Sequence, residues 1–338
     1  MLKRNATLVD VARLAGVSIA TVSRVINGST NVSPELVERI NAALRETNYH
    51  PNVIARSLRN DKTFTVGLLV PDITNSFFAE LAQAASAVFD RANYTPILCD
   101  TQESVEKEKG YYRILLERRV DGLLVVSADT SGKHVEDVAA RGIPVVLADR
   151  TASPRIDSVR VDNFEGAAHA VSYLISKGYR TIAGIFGPQD TLSGKERRAG
   201  YIKALESFNM SVIPDLVKVG PFTIESGFKL AGELLQSPSI SGAPARPDAI
   251  FAANKQIGIG AFKAIKHYGF KIPGEVALIV FDDFELADYV EPPITVVAHP
   301  AAEIGRRAAE LLLERIGGSV TSTREVLLKA ELVVRGSA

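Results

Sequence analysis

Residue types suited to holding a polyhydroxylated ligand recur where strand-like runs end. Asp72–Phe78 (Asp-Ile-Thr-Asn-Ser-Phe-Phe) follows the run Phe64–Val70 and supplies polar atoms with two aromatic rings. Asp149-Arg150 ends the run that starts at Pro144, Asp162-Asn163-Phe164 opens the second half of the chain, and Arg197 precedes Arg198-Ala199-Gly200-Tyr201. Phe222, Asn254 and Asp282 sit at later run ends. Carboxylates, amides and guanidinium forks satisfy vicinal hydroxyls, while aromatic faces cover the apolar side of a sugar ring. A second set lies near the N-terminus. There Arg24 is placed to reach a guanine edge with two hydrogen bonds, and Ile19 and Ala20 to touch a thymine methyl. Each set has an ordinary reading beside it: helix caps and loop ion pairs for the first, a solvated arginine on a small helical bundle for the second.

Catalytic patterns are missing. Gly194-Lys195 is followed by Glu196 where a phosphate loop requires Ser or Thr, and Gly258-Ile259-Gly260 lacks a third glycine. No Gly-x-Ser-x-Gly elbow occurs. The five histidines (His50, His134, His169, His267, His299) show no metal-ligand spacing. An enzyme is not expected, nor a metal or another cofactor.

The elements that must position these residues follow from periodicity. Thr7-Leu8-Val9-Asp10 has the spacing of a capping box, and the helix it opens runs to about Ala15. Gly16 permits a tight turn, Ser18 caps a second helix from Ile19 to Ile26, and Ser33-Pro34-Glu35 starts a third. Two short helices around a glycine turn make a helix-turn-helix, whose second helix fits the DNA major groove. From Thr63 onward, strands alternate with helix-length segments: Phe64–Val70, Thr95–Asp100, Gly122–Val126 and Pro144–Asp149, then Thr181–Phe186, Leu216–Val219, Ala249–Ala252 and Val276–Phe281. Such alternation predicts parallel, doubly wound sheets in two related halves. Thr295–Ala298 and Val326–Val334 are left over as strands that cross back between the halves. Ligands bind beyond the carboxyl ends of strands in such sheets, which is where the first residue set lies.

Composition agrees. The 338 residues are enough for two to three domains, and the longest apolar runs are strand-sized, far short of the roughly 20 residues that span a bilayer. A single cysteine, Cys99, and an N-terminus without a secretory-type apolar stretch predict a cytoplasmic protein. Net charge is zero, yet residues 1–62 carry nine Lys/Arg against five Asp/Glu, leaving a basic head of +4 on a body of −4. That asymmetry suits a head that meets phosphate.

The run Thr7-Leu8-Val9-Asp10-Val11-Ala12-Arg13-Leu14-Ala15-Gly16-Val17-Ser18, then Ala20-Thr21-Val22-Ser23-Arg24-Val25-Ile26-Asn27-Gly28, resembles the N-terminal signature of the lactose/galactose repressor family. Tyr49-His50-Pro51-Asn52 and Ala55-Arg56-Ser57-Leu58 extend the likeness through that family's hinge helix. The resemblance implies a small all-α helix-turn-helix head on an α/β body of two doubly wound parallel-sheet lobes of periplasmic-binding-protein type. Expected boundaries are 1–50 for the head, 51–62 for the hinge and 63–338 for the body. Within the body, about 63–161 and 293–324 form one lobe, and about 162–292 and 325–338 the other. DNA-facing positions are Thr7, Ser18, Ile19, Ala20, Thr21, Arg24, Asn31, Tyr49, Asn52, Ala55 and Leu58, the last as an apolar wedge in the minor groove. Effector-facing positions are Asn75, Phe77, Arg150, Asn163, Arg197, Phe222, Asn254 and Asp282.

Two departures from the family pattern stand out. Lys255 follows Asn254 where an acid is usual, and Val280 replaces a usual glycine. A lysine at a helix start opposes the macrodipole, so something should compensate it. With Arg150 and Arg197, Lys255 either makes the cleft unusually basic, which suits a sugar acid or phosphate, or it points to solvent. The expected whole is a repressor that binds near-palindromic duplex DNA as a homodimer under control of a sugar or sugar derivative. A stand-alone sugar-binding protein, which needs export, is the rival reading.

Overall fold

The computed structural model describes residues 6–26, 32–47, 62–236, 246–319 and 322–338. Contacts divide the chain into two units, residues 1–63 and 64–338. In the first, α1 (Leu8–Ala15), α2 (Ile19–Ile26) and α3 (Pro34–Glu46) enclose Val11, Ala12, Ala15, Val22, Ile40 and Ala43. The caps form as the spacing predicts. The Asp10 N–H donates to Thr7 Oγ1 (3.4 Å), the Thr7 N–H donates to Asp10 Oδ2 (2.9 Å), and Gly16 takes the left-handed conformation at φ +63°. The hinge positions 51–61 lie outside the described residues.

The second unit holds two six-stranded sheets of matching order. The first comprises β1 (Thr65–Val70), β2 (Thr95–Asp100), β3 (Gly122–Val125), β4 (Val145–Ala148), β5 (Asp157–Val161) and β11 (Glu325–Leu328), in the order β11-β5-β4-β3-β1-β2, all parallel. The second comprises β6 (Ile182–Phe186), β7 (Val217–Val219), β8 (Ala249–Ala252), β9 (Ala277–Phe281), β10 (Thr295–Ala298) and β12 (Glu331–Val333), in the order β12-β10-β9-β8-β6-β7. Among the described residues only the β10–β12 pairing is antiparallel. Central strands are apolar throughout because helices cover both faces.

In the first lobe α4 (Ser76–Arg91), α5 (Val105–Glu117), α6 (Lys133–Ala139) and α11 (Ala301–Ile316) do the covering. In the second, α7 (Asn163–Ser176), α8 (Leu192–Ser207), α9 (Ile224–Gln236) and α10 (Lys255–His267) do so. Apolar residues of α4 at helical spacing (Phe78, Leu81, Ala82, Ala85, Phe89) pack on Ile304, Ala308 and Leu312 of α11. Gly305 makes that approach possible, since a Cβ there would stand 2.1 Å from the Leu81 carbonyl oxygen. Asp157 accepts from Arg315 Nε (2.6 Å) and Nη2 (2.8 Å), tying α11 to β5.

The lobe boundaries differ from expectation at two strands of the last 46 residues, 293–338. Thr295–Ala298, expected with the first lobe, pairs with β9 in the second; Glu325–Leu328, expected with the second, pairs with β5 in the first. The run Val326–Val334 is therefore two short strands in different sheets. A strand inside an apolar-polar run carries no mark of which sheet has a free edge, and tertiary pairing decides it. β5 departs from its sequence pattern: Asp157-Ser158-Val159-Arg160-Val161 reads as polar alternation, yet it is nearly all buried.

Candidate effector-binding cleft and nucleic-acid interface

In the head, Ser18, Ile19, Ala20 and Arg24 lie exposed at the start and along one face of α2, with Thr21 partly covered. Ser18 Oγ accepts from the Thr21 N–H at 3.1 Å, fixing the helix start. Ile19 keeps 47% of its surface in solvent although it belongs to an apolar-rich helix, because Val22 alone turns fully into the core. Thr7 is exposed at the start of α1. Asn31, Tyr49, Asn52, Ala55 and Leu58 lie outside the described residues.

Between the lobes, at the carboxyl ends of both sheets, opens a cleft of about 900 Å³. The first lobe contributes Asn75, Phe77 and Arg150; the second contributes Arg197, Phe222, Asn254, Lys255 and Asp282. Asn75 caps α4, accepting from the Phe77 N–H, and Asn254 caps α10, accepting from the N–H groups of Gln256 and Ile257. Phe222 lies against Gly187, where a Cβ would meet its ring at 2.0 Å. Val280 fills the space left by Gly258, where a Cβ would stand 2.3 Å from it.

Asp282 organises the second-lobe wall. Arg197 Nη1 lies 3.5 Å from its carboxylate, Asn254 Nδ2 donates to it at 3.3 Å, and His299 Nδ1 lies at 3.2 Å. Burial pushes its carboxyl up. The Arg197 charge, His299 and the Lys255 backbone N–H overcome that and hold it well below the usual carboxylate range. An ionised Asp282 at the start of α10 also supplies the compensation that a lysine at a helix start requires. Arg197 is 5% exposed; its guanidinium stacks 3.7 Å from the Phe281 ring centroid and donates to the Ala253 carbonyl and Asn163 Oδ1, each at 2.8 Å.

Three expectations change. Asn163 does not line the cleft: it is buried beneath Arg197 and holds the guanidinium from behind. The cleft is not unusually basic, because its lining has four Lys/Arg but seven Asp/Glu. Half-buried Arg150 is engaged by Glu103 and buried Arg197 by Asp282, since a guanidinium withdrawn from water without a partner is too costly to leave alone. Lys255 neither points to solvent nor joins a cationic patch. Its Nζ crosses the cleft and donates to Asn75 Oδ1 (3.1 Å) and Ser76 Oγ (3.0 Å).

No metal-ligand spacing marks His299 in the sequence. It follows β10 directly, so the strand-end rule that found the other residues would have found it. Its buried ring (4% exposed) lies between Asp282 of one lobe and Asp149 of the other, the latter 3.4 Å from Nε2, and packs 4.5 Å from the Phe77 ring. Both aspartates sit in the left-handed backbone region, at φ +62° and +75°, at the ends of the corresponding strands β4 and β9. Such conformations are uphill, and Asp tolerates them better than most residues. Glu108 also went unnoticed. Fully buried, it accepts from Tyr112 Oη, Ser127 Oγ and the Ala128 N–H, bracing the loop after β3. Among the described residues no cluster of three potential ligands could hold a metal, and no helix is long and apolar enough to cross a membrane.

A helix-turn-helix unit followed by a two-lobed body with an interlobe cleft defines a ligand-responsive DNA-binding regulator. Residues 7–52 match the bacterial regulatory proteins of the lacI family, and residues 171–338 match the periplasmic binding protein-like domain. The HTH-type transcriptional repressor PurR of Vibrio campbellii is 36% identical over 334 residues, 98% of each chain. Two solved structures are also similar. The lac repressor dimer bound to operator and the anti-inducer ONPF has TM-score 0.86 at 27% identity, covering 99% of each chain. The transcriptional regulator CelR in complex with cellobiose has TM-score 0.73 at 33% identity, covering 98% of this chain and 100% of CelR. The chain belongs to the lacI family and is a DNA-binding transcriptional repressor with a ligand-binding body; its relatives are repressors rather than enzymes.

Proposed function

We propose that the repressor is controlled by a neutral sugar or sugar derivative bound between the lobes. The observation that carries this is the cleft wall: Phe77 and Phe222 line it with aromatic carbon, while Asp282, Arg197 and Asn254 form one polar array whose charges are already matched. An array of that kind exchanges hydrogen bonds with hydroxyls without needing a ligand charge. CelR with cellobiose and the lac repressor with ONPF support carrying such a ligand over to this chain. The dimer on operator in the latter supports a homodimer on a near-palindromic site, with α2 in the major groove and Leu58 of each subunit at the centre. Duplex DNA as partner supports a cytoplasmic location.

Control follows from the crossings. The chain passes between lobes near residues 162, 299 and 329, so a ligand that changes the lobe angle acts on both sheets at once. A coupling of about 1–3 kcal/mol to operator affinity is typical of such linkage. The test is a thermal-shift screen of neutral sugars, sugar acids, sugar phosphates and nucleobases. A ligand at a hundred times its Kd stabilises by about 2.7 kcal/mol. For a unit of this size that raises the midpoint by roughly 5–10 °C. A neutral-sugar hit that also changes salt-dependent operator binding supports the reading; hits confined to nucleobases or acids overturn it.

A further inference from the structure

The first-lobe wall of the cleft contains an arginine whose recognition edge is already occupied. Arg150, just past β4, points both terminal nitrogens at Glu103, just past β2: Nη1 to Oε2 at 2.7 Å and Nη2 to Oε1 at 2.8 Å. This parallel fork is the geometry in which a guanidinium takes the carboxylate or phosphate of a ligand. The Ser127 carbonyl accepts from Nη1 at 3.4 Å and the Phe78 ring lies 5.7 Å from the guanidinium carbon, so the arginine is held in place from behind. Glu103 is on the open side, with 53% of its side chain in solvent against 33% for Arg150. Both line the cleft.

The backbone that delivers Glu103 is uphill. Gln102 and Glu103 are consecutive non-glycine residues at φ +52° and +55°. The Glu103 N–H donates to the Pro71 carbonyl at 3.1 Å, and Lys107 Nζ donates to the Gln102 side chain. A strained pair of residues fixed from both sides, presenting one carboxylate to one guanidinium at a ligand cleft, marks a built feature rather than a chance surface pair. Without that carboxylate the Arg150 fork would stand open to a ligand anion, with Asp149 remaining 4.0 Å from its Nε. Lys195 and Lys255 also line the cleft, and neither pairs with a carboxylate among the described residues.

We propose that Glu103 is a specificity-determining residue: its carboxylate fills the Arg150 fork and makes the cleft select neutral ligands over carboxylated or phosphorylated ones. The proposal rests on the neutral-sugar reading only for what is accepted; what is refused follows from the pair itself. A ligand anion must displace a carboxylate already present at high local concentration, and it meets that carboxylate's charge at close range. A neutral ligand leaves the pair intact.

The test uses the full chain and inorganic phosphate, titrated calorimetrically at constant ionic strength. Glu103→Gln should bind phosphate at least about tenfold more tightly than the parent, the size expected for removing one like charge about 6 Å away near a protein surface. The gain should disappear in Glu103→Gln combined with Arg150→Gln. Unchanged affinity, undetectable phosphate binding in every variant, or a gain that survives loss of Arg150 overturns the proposal. If Glu103→Gln lowers the melting midpoint, Glu103→Asn serves instead, because Asn is at home at positive φ, and the same criteria apply. Neutral sugars are titrated in parallel. Sugar binding with a failed phosphate arm removes only the role of Glu103; silence from sugars with the phosphate gain intact removes only the sugar reading.

Discussion

Replacing Arg197 with leucine should unfold the body at markedly lower temperature, and the loss should shrink in acid. The substitution takes away the cation 3.5 Å from Asp282 and strips the partners from Asn163 Oδ1 and the Ala253 carbonyl. Side-chain exposures of 6% and 15% put the Arg197–Asp282 pair in the buried regime, where removing one partner costs about 3–5 kcal/mol. Asn254, His299 and the Lys255 N–H still serve Asp282, which places the expectation near 3 kcal/mol, or roughly 6–12 °C for a unit of this size.

The pH dependence has a definite sign. In the parent, Asp282 is held below its unfolded value, so its contribution is fully present above about pH 4 and is lost only as pH falls further. In the variant the Arg197 charge, the first of the influences that lower that carboxyl, is gone, so the group protonates at a higher pH than in the parent and the stability gap narrows on acidification. Circular-dichroism melts at pH 7 and pH 4.5 therefore give a wide gap and then a narrower one. Asp282→Asn combined with Arg197→Leu should cost at least about 1.5 kcal/mol less than the two single changes together. A drop below about 2 °C at pH 7, or a gap independent of pH, would refute the claim that these residues form one buried charge unit.

Other outcomes follow from the same geometry. Lys255→Met removes the two hydrogen bonds that cross the cleft and should widen it, seen as a larger radius of gyration by small-angle scattering without ligand; an unchanged value means the lysine does not hold the lobes together. Arg24→Ala should weaken operator binding by about 1–3 kcal/mol and relax the preference at one base pair, measured by competition with single-base operator variants. Uniform weakening across those variants would reassign Arg24 to phosphate. Leu58→Ala should weaken specific DNA binding and leave ligand binding intact; loss of both contradicts its role as a minor-groove wedge.

Much of this protein is legible in its sequence because the signals are local. A capping box at Thr7–Asp10, a glycine at 16 and a proline at 34 each act within one turn, and all three helices of the head begin where those residues put them. Continuous apolar runs such as Gly122–Val125 and Ala249–Ala252 must be strands covered on both faces. The strand-end rule then gathers most of the cleft, from Asn75 and Arg150 to Asn254 and Asp282.

Long-range pairing decided the rest. Which sheet receives β10 and which β11 depends on where an open edge stands, and nothing within four residues encodes that. Whether Asn163 faces a ligand or props an arginine depends on the approach of α8 to α7. Whether a cationic residue is available depends on partners far away in the chain: Glu103 lies 47 residues from Arg150, and Asn75 lies 180 from Lys255. Local pattern along the chain fixes the residue types, most of the elements and the order of the domains. The charge state of the cleft is set by the folded arrangement instead, because electrostatic pairing acts over ångströms of space without regard to distance along the chain.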